Sequence, residues 1–125
     1  MILADTSIWI DHFRHTDAEL RRIIEDDRLL CHPAVIGELA LGSLRERSSV
    51  IAFLMAQREA LVATHQEVMM MIDRHAIFSM GIGYTDAHLL ASVRAGSVCL
   101  NSFGRFAKWI SATDYAAAII GVSAL

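Results

Sequence analysis

Three carboxylates stand in apolar company that suits chemistry better than scaffolding. Asp5 closes the run Met1-Ile2-Leu3-Ala4 and is followed by Thr6 and Ser7. A short apolar run that stops at a polar turn reads as a buried strand. In a parallel α/β sheet the ligand crevice opens at the carboxyl ends of the strands, which is where Asp5 would point. Capping the next helix is the competing role for this side chain. Glu38 lies inside Ala34-Val35-Ile36-Gly37-Glu38-Leu39-Ala40-Leu41-Gly42, with Ala34 and Leu41 as its helical face neighbours. An ionised carboxylate on such a face costs several kcal/mol unless something compensates it. The alternative is an exposed glutamate on a polar side, but this stretch offers few other polar residues to build one. Asp86, in Gly83-Tyr84-Thr85-Asp86-Ala87-His88, falls in the first turn of a helix. There the macrodipole favours an anion, which explains it structurally without any chemistry.

The set says more than its members. If a strand-end Asp, a mid-helix Glu and a helix-start Asp converge, their charges repel, and a hard divalent cation such as Mg²⁺ or Mn²⁺ relieves that repulsion. Such a cation holds a phosphate oxygen and activates water for in-line attack. Competing catalytic sets are weak. The chain has no Walker A loop and no G-x-S-x-G, neither Cys31 nor Cys99 has an evident partner histidine, and the six histidines lack an H-E-x-x-H spacing. A phosphoacceptor receiver domain would want a second acid beside Asp5, and a haloacid-dehalogenase-like phosphatase would want D-x-D where Asp5-Thr6-Ser7 stands.

The elements that must position these acids alternate. After the first strand, Thr6 or Ser7 caps a helix holding Ile8, Trp9 and Phe13. Asp17 to Asp27 carries Leu20, Ile23 and Ile24 at helical spacing, with Asp17 and Arg21 as an i, i+4 pair. Leu29-Leu30-Cys31 reads as a second strand. Pro33, the single proline, opens a helix to about Leu44. Ser48 or Ser49 starts another, and Leu61-Val62-Ala63 reads as a third strand. Thr64 or His65 begins a helix that the glycines at 81 and 83 break. Thr85 caps the stretch from Asp86 to Arg94, and Ser97 to Leu100 reads as a late strand. Strands alternating with helices predict an α/β fold, a parallel sheet covered by helices.

Composition sets the outer bounds. The chain has 125 residues, 54% hydrophobic and 20% charged, with a mean hydropathy of +0.42. That is material for one folded domain spanning 1–125 and excludes a disordered chain. No apolar run nears the roughly 20 residues a bilayer span needs, so no membrane partner is expected. The N-terminus meets Asp5 at once and does not read as a signal peptide. Two cysteines without metal-type spacing fit a reducing cytoplasm. A net charge of -3 gives no global field for nucleic acid, so an RNA partner would need a local patch or bound metal. After residue 94 the charged residues are Arg105, Lys108 and Asp114, and residues 95–125 form a divergent tail.

Met1-Ile2-Leu3-Ala4-Asp5-Thr6-Ser7-Ile8-Trp9-Ile10-Asp11 resembles the opening of PIN-domain ribonucleases, specifically VapC-type toxins of toxin–antitoxin pairs. Val35-Ile36-Gly37-Glu38-Leu39 resembles their second motif and Gly81 to Ala91 their third, so the likeness covers about residues 1–94. The resemblance implies a three-layer α/β/α sandwich and a Mg²⁺- or Mn²⁺-dependent endoribonuclease that cuts tRNA- or rRNA-like molecules to halt translation. It implies metal binding by Asp5, Glu38 and Asp86, support from the hydroxyl of Thr6 or Ser7, a cognate antitoxin whose peptide covers the site, and a homodimer. Arg14, Arg45 and Arg47, which follow the Asp5 and Glu38 elements, are the candidate RNA contacts; solvated helix ends are the other reading of them. The family's usual fourth acid is missing from Val98 to Phe106, where Asn101 or Ser102 would have to supply a neutral oxygen. Reduced nuclease activity is therefore expected, and a weakened PIN-like module that binds antitoxin or RNA without cutting is the alternative.

Overall fold

Ile2, Leu3 and Ala4 are all buried, with Leu3 fully so. Successive strand residues point to opposite faces, so this strand is covered on both sides, as the middle layer of a sandwich must be. The computed structural model describes residues 1–96, 99–101 and 119–120. Along the chain they form β1 (Ile2–Ala4), α1 (Thr6–Arg14), α2 (Ala18–Glu25), β2 (Leu29–Leu30), α3 (Pro33–Leu41), α4 (Arg47–Met55), α5 (His65–Arg74), α6 (Tyr84–Gly96), β3 (Cys99–Asn101) and β4 (Ile119–Ile120). The sheet runs β2-β1-β3-β4 with every pairing parallel. Ile2 pairs with Leu29 on one side and with Cys99 on the other. This is the helix-covered parallel sheet expected from the alternation of elements.

Several helix ends follow local chemistry. Pro33 sits at the start of α3, behind the His32 cap. Thr64 and Glu67 form a capping box on α5: the Thr64 hydroxyl accepts from the Glu67 amide at 3.1 Å while the Glu67 carboxylate accepts from the Thr64 amide at 3.5 Å. We expect Thr64→Ala to cost about 1 kcal/mol, seen as a lower urea midpoint with an unchanged slope.

Other expectations are corrected. Asp17 accepts from the Leu20 amide at 2.8 Å as the cap of α2. Its carboxylate is therefore engaged, and Arg21 pairs instead with Glu25 at 2.9 Å. Leu61-Val62-Ala63 forms no strand. A single parallel bridge, Cys31 to Glu59, stands just before it, held by the Cys31 amide donating to the Arg58 carbonyl. Helix α3 stops at Leu41, with Gly42 as its cap residue. Helix α4 starts at Arg47, ahead of both serines, after Glu46 turns the chain at φ 50. The α5–α6 connection turns at Ala76, Ser79 and Gly81, all with positive φ, which ends α5 well before the glycines. The tail contributes β4, a pairing not foreseen; Arg105, Lys108 and Asp114 lie outside the described residues.

The core joins strands and helices around Leu3, Leu20, Leu39, Leu54, Val68 and Leu89. Trp9 is buried in it, with Phe13 and Phe53 at ring separations of 5.8 and 6.5 Å. Met71 joins this core while Met69 and Met70 remain exposed, so the methionine run divides between interior and surface.

Candidate active site

From β1 the chain moves to β2 on one side and later returns to β3 on the other. Strand order reverses between β1 and β3, and ligands of such sheets bind at the carboxyl ends of the strands flanking that reversal. Ala4 and Asn101 are register partners at those carboxyl ends. Asp5 follows Ala4 directly, and Asn101 closes β3. Helix α6 delivers the chain to the amino end of β3, so its first turn, with Asp86, belongs to the same edge as Asp5.

Asp5 occupies the cap position of α1 but makes no capping bond with its side chain. It accepts a hydrogen bond from the Ser7 hydroxyl at 2.9 Å. The capping role that competed for this residue is thus not the one its carboxylate fills. Asp5 and Asp86 are 1% and 5% exposed and are the buried acids among the described residues. Burial of two carboxylates demands compensation. Thr6 is buried as well, and its hydroxyl has no hydrogen-bond partner among the described residues.

Glu38 is half-buried. It lines a cavity of about 650 Å³ between α1, α3 and the α3–α4 loop, together with Ile10, Phe13, Arg14, Arg45 and Glu46. It is the sixth residue of α3, so its Cα lies about 7.5 Å along the axis from the first turn's start. Among the described residues no three His, Cys, Asp or Glu side chains stand close enough to hold a metal ion. The convergence expected of Asp5, Glu38 and Asp86 is therefore not assembled here: two acids are buried, and the third stands in the cavity with two arginines. Arg14 and Arg45 share that cavity, whereas Arg47 donates from Nε to the Ala40 carbonyl at 2.9 Å and ties down the end of α3.

The histidines that look scattered in sequence are not scattered in space. His32 is 2% exposed, and its Nδ1 accepts from the Ala34 amide at 3.0 Å. Its ring lies 5.8 Å from that of His88, which Tyr84 meets edge-on at 4.6 Å. The Tyr84 hydroxyl is 2.5 Å from His65 Nδ1. The available sequence signals were the His before a helix-opening Pro and the i, i+4 spacing of Tyr84 and His88.

Burial, with His88 adding to it, pushes His32 from 6.5 down to about 4. The unfolded chain therefore binds the extra proton between those values, and stability falls as pH drops from about 6.5 toward 4. We expect the urea midpoint to decline over that window and His32→Asn, which keeps a capping oxygen, to flatten the decline. Burial likewise pushes the Cys31 thiol up to about 11, away from thiolate chemistry at neutral pH.

Residues 2–105 match the PIN domain family. The match runs past residue 94, where the motif likeness stops, and takes in β3. The ribonuclease VapC32 of Mycobacterium tuberculosis, in strains CDC 1551 / Oshkosh and ATCC 25618 / H37Rv, is 46% identical over 93 residues, covering 74% of this chain and 75% of the relative. No helix among the described residues is long and apolar enough to cross a membrane. With two buried acids at the switch point of a parallel sheet and this degree of identity, the chain belongs to the PIN-domain family, among its VapC ribonucleases.

Proposed function

We propose that this chain is an endoribonuclease toxin of the cytoplasm that hydrolyses structured RNA, and that Asp5, Asp86 and Glu38 form its catalytic acid set. The observation that carries this reading is the burial of Asp5 and Asp86 at the carboxyl edge of the sheet. Nucleases of this family act with divalent cations; here the ion is Mg²⁺ or Mn²⁺. The donor chemistry fits, because an all-carboxylate set selects hard cations over softer ones. Asp5 and Asp86 would hold the ion, with Glu38 as the third acid and Asn101 as a neutral neighbour at the end of β3. When bound, the cation supplies Lewis acidity toward a phosphate oxygen and a more acidic water. Ser7 orients Asp5 through its 2.9 Å hydrogen bond. Arg14 and Arg45 would meet RNA phosphates at the mouth of the Glu38 cavity, where forked guanidinium contacts suit that group.

The test is calorimetric titration of Mn²⁺ into the purified chain and into Asp86→Asn, alongside cleavage of a tRNA pool. Binding to the parent chain that is lost in the variant is the expected result. Equal heats for both would remove Asp86 from the site.

A cognate antitoxin would neutralise the activity by laying a peptide over the cavity of Ile10, Phe13 and Glu38, which offers apolar walls and both signs of charge. The exposed Met69 and Met70 support a second copy of this chain as a partner; sedimentation of the free chain checks the dimer. One observation favours a second reading, a module that binds RNA or antitoxin without cutting: the three acids are not gathered in one group, and residues 98–106 contain no acid. Mn²⁺ binding without cleavage of any RNA would favour that reading.

A further inference from the structure

His32 caps α3 by accepting the Ala34 amide on Nδ1. A backbone amide donates only, so Nδ1 presents its lone pair and the neutral ring carries its proton on Nε2. That Nε2–H is buried and has no hydrogen-bond partner among the described residues. His88 has the complementary need: its Nδ1 is buried and also without a partner among the described residues. The two rings are neighbours, with centroids 5.8 Å apart and planes inclined at 55°. A direct N–H···N bond along the ring axes puts centroids about 5 Å apart, so the observed separation is within about 1 Å of what the bond requires. Left open, each group forfeits a satisfied buried partner, the kind of deficit native interiors rarely keep.

We propose that His32 and His88 are a positioning pair, in which His32 Nε2–H donates to His88 Nδ1 and locks α3 against α6. The proposal rests on the reading of Glu38 and Asp86 as site acids. His32 immediately precedes the helix that carries Glu38, and His88 follows Asp86 by two residues on its own helix. The bond therefore fixes how the two acid-bearing helices sit against each other. Tyr84 holds the His88 ring from another side, edge-on at 4.6 Å, and is itself anchored by His65. The same tautomer removes His32 from the metal ligands, since Nε2 has no free lone pair to give.

The direct test is nuclear magnetic resonance of the full chain with ¹⁵N-labelled imidazoles and no added metal. The expected result is His32 protonated on Nε2 and a scalar coupling from that nitrogen to His88 Nδ1 across the hydrogen bond. Absence of the coupling, or a His32 proton on Nδ1, overturns the pair. The functional arm uses Mn²⁺ and a tRNA substrate. His88→Leu should lower kcat about 10-fold with KM unchanged, in the range that loss of an orienting partner produces. His88→Asn, whose Oδ1 restores an acceptor near the Nδ1 position, should recover most of it, whereas a purely structural role would show in melting temperature and not in this rescue. If Asp5→Asn cleaves like the parent chain, the functional reading fails and the coupling alone judges the pair. If Asp5→Asn is inactive while His88→Leu turns over normally, the pair does not position the acids and the proposal falls.

Discussion

Asp5→Asn should lower RNA cleavage by at least about 100-fold, since losing even an outer-shell partner of a metal ligand commonly costs 10–100-fold. The substitution keeps the size of the side chain and an oxygen that accepts from Ser7, so the 2.9 Å hydrogen bond survives. What it removes is one negative charge from a residue 1% exposed at the end of β1. Melting the metal-free variant beside the parent separates a loss of chemistry from a loss of fold. Growth arrest on expression should disappear together with cleavage in the purified protein. Arrest that persists undiminished in Asp5→Asn would mean that phosphodiester hydrolysis through this residue is not how the chain acts, and would turn attention to binding alone.

Trp9→Ala should destabilise the fold by about 3–5 kcal/mol, the range for truncating a buried large aromatic, out of a total that is rarely above about 15 kcal/mol. Trp9 is 2% exposed and packs its ring among Phe13, His12 and, from α4, Phe53. Removing it takes away an aromatic contact between α1 and α4 and the support behind Phe13, which lines the Glu38 cavity. A urea melt should show the loss directly. Trp9→Phe, which keeps an aromatic ring in the same place, should retain most of the stability. A Trp9→Ala midpoint close to the parent value would show that the surrounding side chains close over the gap.

The sequence was most informative where one residue's chemistry dictates a local outcome. Asp5 after an apolar tetrapeptide, Pro33 at a helix start and Thr64 or His65 as the opening of α5 each read correctly, because strand ends and caps are decided within a few residues. Asp17 was misread: the ion-pair spacing to Arg21 and the capping spacing to Leu20 compete for one carboxylate, and periodicity does not rank them. Leu61-Val62-Ala63 has the composition of a strand but stands just past a single bridge to Cys31, and a strand needs a paired neighbour as well as propensity. Glu38 shows the limit for sites. Its apolar neighbours flagged it, but whether it meets Asp5 or opens onto a cavity depends on how α3 leans on α1 and α6. The nearness of His32 and His88 was hidden for the same reason, since 56 positions separate them and neither lies in a motif that announces the other.

The pairing of Ile2 with Cys99 and of Leu3 with Leu100 has a consequence for how the protein is made. β1 lies between β2 and β3 in the sheet, and β3 follows it in the chain only after six helices and a strand. Until then one of its edges has nothing to bond with, and closing so long a loop is the slow kind of folding event. The carboxyl edge at which Ala4 lies beside Asn101 therefore cannot form until the ribosome has passed residue 101.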